Sequence, residues 1–106
     1  MNQENTLHRI DKFAVPTEML SGFLEGVYAS HREIDRLAGM VRNEVLVQTG
    51  GEGRFNVVTH VVWSDEDAYK NATVEMSRFH DARGGRPTID PSIETDLATY
   101  RTSQFS

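Results

Sequence analysis

The segment Val57 to Tyr69, VVTHVVWSDEDAY, gathers the side chains best suited to chemistry in this chain. Trp63, the only tryptophan, offers a flat ring face and one N–H donor. Tyr69 offers a hydroxyl, and Thr59 offers another on the same side of a strand as Trp63, by two-residue periodicity. These types can bind a flat apolar molecule and stabilise negative charge on one of its oxygens. An electron-rich phenolate or enolate held in this way can pass an electron straight to oxygen, a reaction that requires no flavin and no metal.

The histidines divide by position. His31 closes an apolar stripe on a first helix and faces a pocket mouth, while His80 ends a second helix. Both are candidates for substrate contact and the first to consider as a general base. His60 sits among valines on the opposite face from Trp63, toward a partner, and His8 is expected to be exposed. No pair has helical metal-ligand spacing and no His-Glu-x-x-His occurs, so no metal is expected. Gly50, Gly51 and Gly53 join two strands rather than opening a helix, so they do not form a phosphate loop.

The elements that must position these residues follow from periodicity. Leu7 to Val15 reads as a strand ended by Pro16, which brings no amide to a ladder. Thr17 is the expected cap of a helix carrying Leu20, Phe23, Leu24, Val27, Tyr28, His31 and Ile34 on one stripe. Gly39 is expected as its left-handed stop. Met40 to Thr49 and Arg54 to Trp63 read as strands joined by the glycine-rich turn. Ser64 is the expected cap of a second helix reaching His80, with Tyr69, Ala72, Met76 and Phe79 on its stripe. Asp81 to Pro91 is a loop, its Gly84-Gly85-Arg86-Pro87 able to gate a pocket, and Ser92 to Thr102 is a last strand.

The order β-α-β-β-α-β is the split βαβ arrangement of an α+β, ferredoxin-like fold, with a four-stranded antiparallel sheet and two helices on one face. Val57, Val58, Val61 and Val62 put apolar groups on both sides of the third strand. Such a strand wants cover on both faces, and a second copy of the sheet supplies it. A homodimer packed sheet to sheet is the expectation.

With 106 residues the chain makes one domain, residues 1–106, with an ordered core from about Leu7 to Arg101. Its net charge of −5 and scattered basic residues offer no stripe for nucleic acid. The absence of cysteine excludes a disulfide framework, a thiolate metal site and a cysteine nucleophile. No run is long enough to span a membrane, and MNQENT lacks the regions of a signal peptide, so a soluble cytoplasmic protein is expected. Met1 to Thr6 reads as a mobile polar lead-in.

The element order, the Ala38-Gly39 step before the second strand, and Trp63-Ser64-Asp65-Glu66-Asp67-Ala68-Tyr69 together resemble the antibiotic biosynthesis monooxygenase family of the dimeric α/β-barrel superfamily. The resemblance runs over roughly Leu7 to Arg101. It implies a dimeric barrel, with a pocket in each subunit between sheet and helices. It also implies an oxygenase that needs no cofactor and acts on a small aromatic or quinol-like molecule. In the anthrone-oxidising branch, Trp63, Tyr69 and Arg83 match pocket residues, and Arg83 would supply a fixed cation to steady an enolate. Thr59 stands where that branch has an asparagine, and keeps a donor on a shorter side chain. Phe23, Val27 and Met76, on the inner stripes, join Thr59, His31 and His80 as expected substrate contacts.

Two other functions fit the same family. One is a ligand-binding or stress-response dimer without catalysis. The other is heme degradation, whose pattern wants an aromatic where this chain has Ala72, and a histidine two residues beyond His80, roughly 200° around a helix. Ordinary structural roles also remain open: Trp63 and Tyr69 as core residues, and Arg83 as a solvated charge.

Overall fold

A computed structural model describes residues 5 to 103. β1 (Leu7–Ala14) leads through a short 3-10 turn (Thr17–Met19) into α1 (Leu20–Ile34). β2 (Met40–Val47), β3 (Val57–Trp63), α2 (Glu66–Asp81) and β4 (Glu94–Tyr100) follow. The sheet is antiparallel in the order β2-β3-β1-β4, the ferredoxin-like arrangement. No helix among the described residues is long and apolar enough to cross a membrane.

Local chemistry moves several element ends from where the sequence places them. Thr17 does not cap α1; it opens the 3-10 turn after Pro16, and Met19 precedes the helix without a side-chain cap. Asp65, not Ser64, caps α2: its backbone is extended and its carboxylate accepts from the Ala68 amide at 2.8 Å. The Ser64 amide is already committed to the Gly39 carbonyl at 2.8 Å. Just before β3, Asn56 pairs its side chain with Val15, accepting from the amide and donating to the carbonyl, both at 2.8 Å. The lead-in residues Met1 to Glu4 lie outside the described residues, while Thr6 is buried.

Gly39 does adopt positive φ, at 84°, but not as the stop of α1, which ends at Ile34 with Asp35 as a right-handed cap. It is also a point of close approach, since a Cβ there would stand 2.4 Å from the Ala68 Cβ. Glycine is required here twice over, by backbone conformation and by the seating of α2.

The register sorts the side chains by face. Leu7, Arg9, Asp11 and Phe13 of β1 lie beside Trp63, Val61, Thr59 and Val57 of β3. Both helices pack on this inner face, in two apolar clusters. One joins Leu7, Val61, Trp63 and Ala72 to Ile34, Leu37 and Tyr69. The other joins Phe13, Val15, Val57 and Ile93 to Leu20, Phe23 and Leu24. Between them the sheet changes character: Arg9, Asp11 and Thr59 interrupt the apolar rows. The core is therefore divided, and the division positions the site.

Candidate functional site

A cavity of about 660 Å³ opens over that polar interval, with a second lobe of about 280 Å³ reaching toward Trp63. Asp11, Ser30, His31, Thr59, His80 and Arg86 line both lobes, so the two are continuous. Phe23 and Val27 wall the larger lobe. Trp63, Tyr69 and Met76 wall the smaller. The sheet floor, α1 on one side and α2 on the other make a slot with apolar ends and a polar middle.

Trp63 is only 3% exposed, and so is a core residue as well as a wall of the cavity. Its ring centre lies 6.5 Å from that of Tyr69, at an interplanar angle of 58°. Tyr69 reaches inward from the first turns of α2, where its hydroxyl oxygen accepts from Nη1 of Arg9 at 3.1 Å. Nε of the same guanidinium donates to Oδ1 of Asp11 at 2.7 Å. With its oxygen accepting from Arg9, the Tyr69 hydroxyl has its own hydrogen to donate to a bound ligand. Burial pushes the Asp11 carboxyl above its ordinary range, and the charges of Arg9 and His31 pull it back.

His31, on the cavity side of α1, places Nδ1 2.5 Å from Oδ1 of Asn43. Asn43 in turn donates to the His31 carbonyl at 2.9 Å and to Oδ1 of Asp35 at 2.8 Å. His80 lies at the end of α2 with its ring edge against Phe79.

Arg83 stands elsewhere. It is exposed, its guanidinium 4.2 Å over the Phe79 ring, and it lines neither lobe. The loop turns through Gly84 and Gly85, both at positive φ, and presents Arg86 to the cavity instead. Sequence reasoning also passed over Arg9, Asp11 and Ser30. A signal for the first two existed: they share the parity of Phe13 on β1, which sets two charges on the inward face of a strand.

The outer face carries its own histidine pair. His8 is not exposed as expected; it is half-buried, its Nδ1 2.9 Å from Nε2 of His60 and the rings stacked. His60 does lie on the face opposite Trp63, across from Ile10 and Glu44. Among the described residues no group of three His, Asp or Glu side chains could hold a metal ion.

No protein-family model matches the sequence, and no curated protein matches it. Solved structures do match. SnoaB, a cofactor-independent oxygenase from Streptomyces nogalater solved as an asparagine-to-alanine mutant, superposes with a TM-score of 0.69 at 17% identity, over 95% of this chain and 96% of that one. A Bacillus cereus protein provisionally named an antibiotic biosynthesis monooxygenase gives 0.64 at 23% identity, over 96% and 97%. A heme-degrading protein from Mycobacterium tuberculosis, in its heme-free form, gives 0.61 at 17%, over 96% of each. At these identities the likeness is one of fold, and the fold is that of the antibiotic biosynthesis monooxygenases.

Proposed function

We propose that this protein is a cofactor-independent oxygenase of the antibiotic biosynthesis monooxygenase type, acting on a small, flat, weakly acidic aromatic such as an anthrone or a hydroquinone. The observation that carries the reading is the slot itself: Trp63 walls one end, and the Tyr69 hydroxyl and the Arg9 guanidinium meet on the apolar–polar boundary. A flat ring system fits between sheet and helices, and its oxygen is met by a donor backed by a cation.

For anthrone the balance is one substrate and one dioxygen giving anthraquinone and one water. Loss of a methylene proton makes the enolate. One electron passes to dioxygen, and the radical and superoxide join in a new carbon–oxygen bond. After protonation of the peroxide, a second proton leaves the same carbon, the O–O bond breaks, the carbonyl forms and hydroxide departs as water. In this reading Tyr69 and Thr59 hold the substrate oxygen, Trp63 orients the ring, and Phe23, Val27 and Met76 supply apolar walls. His31 and His80 face the reacting region, and Arg86 takes the pocket position that the resemblance gave to Arg83.

The same reading has a second copy covering the outer sheet face. Leu46 and Tyr100 are exposed there at 48% and 43%, beside Val58 and Val62. Light scattering should give twice the chain mass, and Val58→Lys should halve it; a wild-type monomer at micromolar concentration would remove the dimer from the proposal.

The function is tested by titrating the single tryptophan's fluorescence with anthrone while recording dissolved oxygen. Saturable quenching with oxygen consumption and anthraquinone formation is expected. Quenching without consumption would leave a binding protein, to which the replacement of asparagine by Thr59 lends some support. A Soret shift with hemin, followed by bleaching under reductant, would move the function to heme degradation; Ala72, buried where that branch wants an aromatic, speaks against it.

A further inference from the structure

The oxygenase reading needs a group to take the substrate proton, and three side chains around His31 identify one. Asn43 sits on the inner face of β2, beside Val61. Its amide nitrogen faces the His31 carbonyl at 2.9 Å and Oδ1 of Asp35 at 2.8 Å. A carbonyl oxygen accepts only, and so does an ionised carboxylate, so the amide cannot be turned the other way without losing both bonds. Its oxygen is thereby committed to Nδ1 of His31, 2.5 Å away. An amide oxygen cannot donate, so the hydrogen in that bond belongs to the ring. A neutral imidazole has one N–H, and here it is held on Nδ1, leaving the lone pair on Nε2.

We propose that His31 Nε2 is the proton acceptor of the cavity, and that Asn43 and Asp35 are positioning residues which hold the ring as its Nδ1–H tautomer. The assignment rests on the oxygenase reading and deepens it. His31 lines both lobes of the cavity beside Asp11 and Thr59. The groups around it are Asp11 and Arg9 from β1, Asp35 from the end of α1, His80 from α2, and Arg86 from the loop. Asp11 and Asp35 stabilise the imidazolium that forms on proton uptake, while Arg9 is already paired with Asp11. The Asp11 carboxylate is already held by the Arg9 guanidinium at 2.7 Å, which makes it the weaker competitor for the substrate proton. His80 is the other histidine within reach, but no hydrogen bond among the described residues orients its ring, which rests edge-on against Phe79.

In anthrone oxidation His31 takes the methylene proton at Nε2 as the enolate forms, and returns it to the peroxide after the carbon–oxygen bond is made. It then takes the second proton from the same carbon and passes it to the departing hydroxide. The ring ends neutral, with one hydrogen, as it began.

Nitrogen NMR of the isotopically labelled wild-type protein tests the tautomer without any substrate. The expected spectrum has His31 protonated on Nδ1, and Asn43→Ala should shift it toward the Nε2–H form; an Nε2–H ring in the wild type would overturn the assignment. With anthrone as the probe, His31→Ala should lower oxygen uptake about a hundredfold or more, with partial rescue by added imidazole, and His80→Ala, which removes a wall contact, should lower it less and without such rescue. Unchanged uptake in His31→Ala, or a loss confined to His80→Ala, would also overturn it. If the wild type consumes no oxygen with anthrone, the oxygenase reading falls on its own, and the nitrogen spectrum still decides the state of His31.

Discussion

Arg9 and Tyr69 belong to the first strand and the second helix, and they meet in the cavity, where Nη1 of Arg9 donates to the Tyr69 hydroxyl over 3.1 Å. The bond joins a cation that also holds Asp11 to the one phenol in the slot. Tyr69→Phe should therefore leave the fold intact and lower oxygen uptake about a hundredfold, the usual effect of removing one donor to a developing oxyanion. Arg9→Lys keeps the charge but not the fork, and should weaken turnover in the same direction. Tyr69→Phe with undiminished kcat/KM on anthrone would take the hydroxyl out of the mechanism.

The loop arginines separate cleanly. Arg86 lines the cavity, whereas Arg83 is stacked on Phe79. Arg86→Ala should weaken binding of an anionic hydroxyanthraquinone about fivefold, as befits an exposed ionic contact at the rim. Arg83→Ala should leave binding within error of the wild type. Fluorescence titration of both variants reads the difference.

Gly39 tests how tightly α2 is seated. Gly39→Ala meets a positive-φ penalty and a methyl 2.4 Å from the Ala68 Cβ. Together these should cost about 2–4 kcal/mol, seen as a lower urea midpoint at unchanged m-value.

The cap of α2 makes a paired prediction. Asp65 accepts from the Ala68 amide, while the Ser64 side chain is not the cap. Asp65→Ala should destabilise by about 1 kcal/mol, and Ser64→Ala by clearly less, both measured by urea denaturation.

The outer histidines predict a pH dependence. Burial first, and then the charge of His8, hold the His60 imidazole below its ordinary value of 6.5. Glu44 opposes this and Arg42 adds to it, with Thr102 touching the far nitrogen of His8. Because the folded value is the lower one, the unfolded chain binds the proton more readily. Stability should be full above 6.5 and fall as the pH drops from there through the folded value. His60→Gln should flatten that slope in denaturation midpoints taken from about pH 8 to about pH 5.

Much of the fold could be read from the sequence, because it rests on local rules. Stripe spacing placed α1 on Leu20–Ile34, and alternation put Thr59 and Trp63 on one face and His60 on the other. The positive φ of Gly39 follows from what glycine alone tolerates, but the helix stop does not lie there, since α1 ends at Ile34 with Asp35 as its cap. Element ends were less legible, since Asp65 and Ser64 are equally good caps by type. The choice was made by where the helix begins: Asp65 is the last extended residue before Glu66, and its carboxylate reaches the Ala68 amide.

The site depended on contacts that no local rule contains. The sequence by itself determined that an aromatic wall, a tyrosine and two histidines would gather on one side of a four-stranded sheet. Tertiary structure alone decided that Arg86 rather than Arg83 would face them: the Gly84 and Gly85 amides hold a local turn on the Asp81 and His80 carbonyls, but only the packing of α2 on the sheet sets which side of that turn meets the cavity. It decided equally that Asn43 would fix the His31 ring. A hydrogen bond between a helix and a strand records where two elements pack, and periodicity describes each element without its neighbour.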